Sequence, residues 1–409
     1  MYKKLIIIIP IVLVILVACL AGYYFITKDN QGTPNPVVAG FKSFFPFGGN
    51  NNTSTETTTS NDLPQQIQPT QNTQNNFTKK LRELSSEPVS GAGTLDVKAG
   101  TVVRYIEKAT GHIFEIELFS PKQSRISNTT LPIVYEAVWG NKNASLITRS
   151  LKDDNQTVNT YSLTVKEVAT STENAIIGVA FPQNLSDVSV FGSSVFYLQQ
   201  NGDSSSGFIS NFDGSKKKEI WNSPLKELSS QYLNAKTVAL TTKPAQNVPG
   251  FLYFVDTGSG QVKKVLGNIS GLCTLADGEG AQILYLEEND NARMYVLDAK
   301  ANSSKTITPT TFLEKCLWSK KDKNVVYCAV PREFLDGNSL TSWYKGFISF
   351  TDDIWKYDIK NNTSVVAENL SSDSGKPLDV IKPILSENEQ YLVFINKTDN
   401  SLWSLDLTK

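Results

Sequence analysis

The chain has 409 residues and a formal net charge of −1, so no global basic field points to a nucleic-acid partner. It contains four scattered cysteines and a single histidine, His112, whereas a zinc site needs several Cys or His ligands at close spacing. No metal or other cofactor is therefore expected. Any Ser-His-Asp or Cys-His mechanism would have to use His112.

The first segment is an uncharged apolar run over residues 5–26, which follows Lys3 and Lys4. Its length is sufficient to cross a hydrocarbon core of roughly 30 Å as a helix. We interpret residues 1–28 as a transmembrane signal-anchor of a single-pass cell-membrane protein, with a cytoplasmic N-terminus and the remainder outside the cytoplasm. A cleaved signal peptide is the alternative. The sequence "LVAC" resembles a lipobox, which makes Cys19 a possible lipidation site.

Residues 29–90 are assigned to a juxtamembrane segment and a low-complexity linker. Residues 50–78 consist largely of Asn, Thr, Gln and Ser, and cannot bury enough surface to offset the entropy of ordering. Residues 37–49 carry four phenylalanines, which would either dip into lipid headgroups or form a patch against the domain or a partner. Residues 79–87, "KKLRELSSE", could form one or two helical turns.

A repeat begins near residue 91 and continues to the end of the chain. One motif is a turn between a small or Trp residue and an apolar strand, as in "AVWGNKNASLIT", "CTLADGEGAQILY", "CLWSKKDKNVVY" and "PILSENEQYLVF". The second motif is an aromatic-rich strand that ends at an acid or its equivalent. These acids are Glu117, Asp213, Asp256, Asp298, Asp358 and Asp406.

The spacing of these motifs indicates the fold class. Repeats of about 40–50 residues that contain several short strands are typical of propeller blades. Seven units can be counted when a weaker one at residues 159–165 is included, with six or eight as the alternatives. The sequence therefore predicts an all-β fold, a seven-bladed β-propeller over residues 91–409. The last unit offers three strands, so residues 93–97 or their neighbours are predicted to supply the fourth and close the ring.

The "W-S-x-x-x-x-x-h-h-Y … h-W-x-h-D" cadence, seen in "CLWSKKDKNVVY" and "DIWKYD", resembles exported propeller repeats of the Tol-system, Tricorn and dipeptidyl-peptidase type, loosely akin to WD repeats. More closely, "RYIEKATGHIFEIEL" and "WYKGFISFTDDIWKYD" resemble membrane-anchored propeller proteins of candidate-phylum bacteria. The resemblance implies an architecture and no particular activity. The peptidase relatives carry an appended hydrolase domain, whereas this sequence stops at Lys409, and the structural histidines of WD repeats are absent.

Within a blade, Cys316 and Cys328 would lie on the innermost strand and its neighbour, joined by a turn centred on Asp322. That centring places the two cysteines opposite each other and predicts a disulfide, which an exported compartment favours. Two buried free thiols are the alternative. Cys273 occupies the same column one unit earlier, but Tyr285 stands at the position that matches Cys328, so Cys273 is predicted to be buried and free.

No catalytic motif is found, and the protein is not expected to be an enzyme. Acids are frequent in the predicted loops, but nothing in the sequence makes two of them converge as a glycosidase requires, and we interpret them as solvated charges. These loop acids are Asp153, Asp154, Glu287, Glu288, Asp290, Asp352 and Asp353. His112 follows Gly111 at the start of a strand and is interpreted as a turn or core residue.

One insertion interrupts the regular spacing, at residues 331–353 between the second and third strands of the fifth unit. It carries aromatic and basic residues of the kind that dominate binding surfaces, so this face is the candidate partner-binding site. The residues concerned are Arg332, Trp343, Tyr344, Lys345 and Phe347. The alternative is a compact loop whose aromatic side chains pack onto the blade.

These observations predict a membrane-anchored, extracytoplasmic propeller that acts as a non-catalytic module binding a protein or glycan of the cell envelope. The alternative is an enzyme that processes envelope carbohydrate or peptide with loop carboxylates. Two or three acids with Tyr or Arg in the central funnel would favour the enzyme. A funnel of Ser, Asn and aliphatic residues would favour the scaffold.

Overall fold

The computed structural model describes residues 78–127, 129–166, 175–289, 291–333 and 339–409. All of them belong to one compact unit, Thr59–Lys409. The predicted membrane span, Cys19, the phenylalanine-rich segment and nearly all of the predicted linker lie outside the described residues. Within the ranges described, no helix is long and apolar enough to cross a membrane.

The described residues form seven four-stranded antiparallel sheets, which confirms the seven-bladed propeller. The strands are β1 (Leu81–Ser85), β2 (Val89–Val97), β3 (Gly100–Glu107), β4 (Ile113–Glu117), β5 (Gln123–Arg125), β6 (Val134–Gly140), β7 (Ser145–Leu151), β8 (Val158–Lys166), β9 (Ala175–Phe181), β10 (Leu185–Phe191), β11 (Ser194–Asn201), β12 (Ser204–Asn211), β13 (Lys218–Ser223), β14 (Leu228–Asn234), β15 (Thr237–Thr242), β16 (Pro249–Asp256), β17 (Val262–Ser270), β18 (Cys273–Ala276), β19 (Gln282–Glu288), β20 (Ala292–Asp298), β21 (Ser303–Ile307), β22 (Cys316–Trp318), β23 (Val325–Pro331), β24 (Asp352–Asp358), β25 (Thr363–Glu368), β26 (Val380–Leu385), β27 (Tyr391–Asn396) and β28 (Leu402–Asp406). The helical elements of the described residues are η1, a 3-10 helix (Leu313–Lys315), and two short α-helices, α1 (Ser339–Tyr344) and α2 (Leu370–Ser374).

Six blades follow the chain in order, from β2–β5 to β22–β25. The first strand of each blade contacts the first strand, or the residues just before it, in the next blade, and β26 contacts β2 to complete the circle. First strands therefore surround a central channel. The second strands, such as β15 and β27, are buried on both faces because each blade packs between two others, whereas an outer strand such as β17 is largely exposed.

The two sequence motifs have distinct structural roles. The repeated turn joins the first and second strands of blades 2, 5, 6 and 7, so that Trp318, for example, lies opposite Val326. The acid ends or closely follows the third strand and closes the next turn. Asp256 Oδ1 accepts a hydrogen bond from the backbone N–H of Ser259 at 2.7 Å, and Asp298 Oδ1 accepts one from Ala301 at 2.8 Å. These hydrogen bonds lower the pKa of both carboxyl groups.

The ring closes differently from the sequence prediction. The seventh blade has the order β1-β28-β27-β26, so its outer strand is Leu81–Ser85. The predicted closing residues 93–97 instead belong to β2 of the first blade. The blades thus begin inside the segment assigned to the linker, and the helical turns predicted over residues 79–87 were wrong. Leu81 and Leu84 are three residues apart, a spacing compatible with one face of a helix. In the strand, the pairing with β28 is irregular between Glu83 and Ser85, and both leucines are buried.

Candidate functional site

The insertion connects β23 to β24, so it lies in the sixth blade rather than the fifth. Its described part includes α1, in which Leu340 and Trp343 are three residues apart and both buried. Trp343 is only 3% exposed and packs against Phe312, with ring centroids 5.4 Å apart. The prediction that Trp343 lies on an exposed binding face was therefore wrong. Trp343 instead packs onto the blade, as the alternative interpretation of the insertion predicted.

A fully buried charged cluster holds the base of the insertion. Lys315, at the end of η1, places its Nζ 2.5 Å from a carboxylate oxygen of Asp352 and 2.5 Å from one of Asp379. The Trp343 indole N–H donates to Asp379 at 3.0 Å, and the Lys315 ammonium lies 5.0 Å from the Trp343 ring centroid. The cluster joins η1, the insertion and the start of β26, and we call it the insertion anchor.

The insertion anchor contains two carboxylates and one ammonium without solvent contact. Burial, the largest effect, raises the pKa of Asp352 to about 6, while Lys315 acts in the opposite direction and Asp379 adds to the rise. Asp352 was interpreted from the sequence as a solvated loop charge, and so was Glu288. Both are fully buried, because the strand ends that carry them lie beneath the insertion.

The other insertion residues have different environments. Tyr344 is 44% exposed and Phe347 is 76% exposed, and Lys345 between them is also exposed. Arg332 instead forms a two-pronged pair with Asp353, in which both N–O distances are 2.8 Å, and also contacts Asn369. The structure thus leaves Tyr344, Lys345 and Phe347 as the exposed tip of the insertion. It uses Arg332 to connect β23, β24 and the start of α2.

Beneath the insertion, Cys316 and Cys328 lie opposite each other in the β22–β23 pair and form a disulfide with an S–S distance of 2.08 Å. Cys273 is a buried free thiol. Its partner in the sheet is Leu286 rather than Tyr285, because the paired residues are 13 positions apart in the β18–β19 hairpin, whereas Cys316 and Cys328 are 12 positions apart. The disulfide is part of the apolar core that also contains Phe312.

The central channel holds charges that the sequence did not single out. Glu136 on β6 pairs with Arg149 at 2.7 Å, and the Arg149 guanidinium lies 5.4 Å from the Tyr135 ring centroid. Asp187 on β10 accepts hydrogen bonds from the backbone N–H and the hydroxyl of Ser230 at 2.5 and 2.6 Å. Despite these bonds, burial raises the pKa of Asp187 to about 6.

Glu314 is a third acid near the channel, on η1 directly before the first strand of blade 6. Its side chain is exposed, yet burial raises its pKa to about 7, with the Lys315 charge acting in the opposite direction. The only sequence signal for Glu136, Asp187 and Glu314 is their position at the start of a blade.

His112 hydrogen-bonds through Nε2 to Thr130 Oγ1 at 3.3 Å, on the surface of the first blade. In the part of the chain that the structure describes, no group of three His, Cys, Asp or Glu residues could hold a metal ion. Glu136 and Asp187 lie near Arg149 and Tyr135, whereas Glu314 directly precedes the first strand of blade 6. Acids with Arg and Tyr near the channel are the composition expected of an enzyme, although the three acids lie on three different blades.

No protein-family model matches the sequence, and no curated protein matches it significantly. Solved structures do match. An oligogalacturonate lyase in complex with manganese is 10% identical, with 79% of this chain and 98% of that chain covered and a TM-score of 0.49. The propeller domain of the Trilobed protease from Pyrococcus furiosus is 12% identical, with 78% and 98% covered and a TM-score of 0.48. TolB from Acinetobacter baumannii is 13% identical, with 77% and 63% covered and a TM-score of 0.39. These similarities concern the propeller fold alone.

Proposed function

We propose that this protein is a membrane-anchored, extracytoplasmic propeller that binds an envelope protein through the exposed tip of its insertion, Tyr344, Lys345 and Phe347. The observation that carries the proposal is the contrast within a few residues of the insertion. Trp343 is 3% exposed and tied to a buried ion cluster, whereas Phe347 is 76% exposed. A firmly held loop that presents an aromatic side chain to solvent loses little conformational entropy on binding.

The anchor and the orientation are part of this proposal. Lys3 and Lys4 before the apolar span support a cytoplasmic N-terminus and a propeller on the outer side. A reporter that is active only after export, fused behind Thr78, is expected to be active. A reporter active only in the cytoplasm would contradict the orientation. Mass spectrometry of the mature N-terminus separates an intact anchor from acylation at Cys19.

Site-specific photo-crosslinking in cells tests the contact surface. A benzophenone amino acid at position 347 is expected to give a discrete protein adduct that weakens when Tyr344 is replaced by Ser. The same probe at Val365, an exposed residue of the outer strand β25, is the matched control and should give no such adduct. Equal crosslinking from both positions would contradict the proposal. Binding to envelope polysaccharide instead of protein would assign the tip to a glycan.

A second candidate function is the processing of envelope carbohydrate or peptide in the channel, and the acids near it favour this function. Asp187 and Glu314 have pKa values raised to about 6 and about 7, so both can hold a proton near neutral pH, as a general acid must. An activity found with envelope carbohydrate or peptide substrates should be lost in both Asp187→Asn and Glu314→Gln. An activity retained in both variants would exclude these acids.

A further inference from the structure

Lys382 occupies an unusual position on the innermost strand of the seventh blade. It has a φ of 49°, in the left-handed region that lysine rarely adopts, and it directly precedes Pro383. The pairing of β26 with β27 is irregular between Ile381 and Ile384, so Lys382 and Pro383 form a bulge. Bulges on inner strands redirect side chains, and a strained conformation persists where the surrounding structure imposes it.

The bulge brings the Lys382 ammonium to the wall of the channel. Its Nζ donates to the backbone carbonyl of Ser90 on β2 at 3.0 Å. The Lys382 side chain is exposed to the channel, but the loss of hydration among the surrounding atoms, the largest effect, lowers its pKa. Glu136 acts in the opposite direction, and the positive charges of Lys108 and Arg149 lower the pKa further. The Glu136 carboxylate is already paired with Arg149 at 2.7 Å. Because this pairing engages Glu136, the Lys382 ammonium has no carboxylate of its own at the wall of the channel.

A cavity of about 450 Å³ lies beside Lys382. This volume falls in the range of small-molecule sites, which is roughly 300–1,000 Å³. Apolar surface from Ala92 and Ile384 lines it together with Lys382. Glu136 on β6 and the turn residues Lys320 and Glu387 of blades 6 and 7 contribute further charges. The cavity combines an apolar wall with an ammonium group held in a fixed position.

We propose that this cavity binds a small organic anion whose carboxylate or phosphate group contacts Lys382 Nζ. The site is separate from the tip of the insertion and does not depend on the proposed envelope partner. Its physical basis is charge compensation: Glu136 on the cavity wall is already paired with Arg149, so an anion supplies the negative charge that the Lys382 ammonium lacks. The apolar residues of the wall would contact the carbon skeleton of the ligand.

Calorimetric titration of the full-length protein at low ionic strength tests this site. The probes are acetate, succinate, citrate, inorganic phosphate and glycerol phosphate, with sodium chloride and glucose as references. At least one anion is expected to bind. Comparison of the affinities of the carboxylates with those of the phosphates shows which of the two anionic groups the cavity binds. Lys382→Met, which keeps the length and the Cβ of the side chain, should weaken that binding by about tenfold or more. Lys300→Met, at an exposed lysine in a turn, should leave it unchanged.

Two further measurements are informative even if Lys382→Met does not fold, and the second also tests whether the backbone at Lys382 is strained. In the unmodified protein, the bound anion should protect Lys382 from acylation, measured by peptide mass spectrometry, while Lys300 stays reactive. Lys382→Gly removes both the charge and the penalty of a positive φ, so it should raise the melting temperature and abolish anion binding. The proposal is overturned if no anion binds, if Lys382→Met binds as tightly as the original, or if no anion protects Lys382.

Discussion

At the scale of single residues, neighbouring aromatic side chains of the insertion have opposite environments. Trp343 fills the space between Phe312 and the Lys315 ammonium, whereas Phe347 extends into solvent. The two residues belong to one insertion and look alike in the sequence. Substitution of Trp343 should therefore affect stability, whereas substitution of Phe347 should affect only binding.

Trp343→Ala is expected to lower the free energy of unfolding by about 3–5 kcal/mol, because it leaves a cavity and removes an indole donor from the buried Asp379 carboxylate. Phe347→Ala is the matched control and should change stability by no more than about 0.5 kcal/mol. Urea unfolding followed by tryptophan fluorescence and circular dichroism measures both. Equal destabilisation by the two substitutions would mean that the exposed tip has a packing role.

Asp187 provides a pH-dependent prediction. Its pKa in the folded protein is about 6, above its ordinary value of 3.8, so the fold favours the protonated carboxyl. The corresponding stability is complete below pH 3.8 and is lost as the pH rises through about 6. Asp187→Asn, which keeps an oxygen acceptor for Ser230, should therefore be close to neutral at pH 4. At pH 8 it should be stabilising by about 1–3 kcal/mol.

Asp154 is the control of opposite sign. Hydrogen bonds from Thr157, the largest effect, lower its pKa to about 2, so its contribution is present above its ordinary pKa and lost as the pH falls. Asp154→Asn should lose stability at neutral pH and little below pH 2. Thermal unfolding from about pH 1.5 to pH 8 compares the two variants. A flat difference between Asp187→Asn and the original protein would show that Asp187 does not titrate in this range.

At the scale of elements, the disulfide links the first two strands of the blade that carries the insertion. Cys316 and Cys328 are 12 residues apart, and β22 itself is only three residues long. A strand of that length contributes few ladder hydrogen bonds. The covalent link and η1 therefore hold the innermost strand in register against β23.

Reduction of the disulfide should cost about 2–3 kcal/mol, as the chain-entropy account suggests for a short loop. The stability of the double variant Cys316→Ala/Cys328→Ala should not respond to reductant. Cys273→Ala should retain the full response, because Cys273 is free. Peptide mapping without reductant is expected to recover Cys316 cross-linked to Cys328. A pair that includes Cys273 would contradict the register of these strands.

At the scale of the whole molecule, the propeller closes by combining a strand from the start of the described chain with three strands from its end. Leu81 pairs with Leu405 and Glu83 with Trp403, so β1 covers the open edge of β28. Both leucines of β1 are buried in the cores of the closing region. The first and last blades are therefore joined through a segment that precedes the repeats.

Removal of β1 is expected to open the ring. Protein that begins at residue 78 should unfold at the same urea concentration as the full chain. Protein that begins at residue 87 should be less stable by about 4 kcal/mol or more, because two leucines and a row of ladder hydrogen bonds are lost. The bare β28 edge should also promote self-association, detectable by light scattering. Equal stability of the two forms would show that closure contributes little.

The repeating part of the fold could be predicted from the sequence: seven units, the first hairpin of several blades and the acid that closes the third-strand turn. The insertion was predicted correctly between the second and third strands of a blade, but one blade too early. These features recur locally, and each depends on neighbouring residues within one blade. The opposition of Cys316 and Cys328 could be predicted for the same reason, since one short hairpin sets their register.

The strand that closes the ring, the burial of one insertion aromatic residue and the charges near the channel could not be predicted from the sequence. Leu81 meets Leu405 across almost the whole length of the described chain, and no local pattern encodes that pairing. The burial of Asp352 and the approach of Lys382 to Ser90 likewise depend on contacts between blades. Such contacts arise because the circular packing brings distant parts of the chain together, so spacing within a repeat carries no information about them.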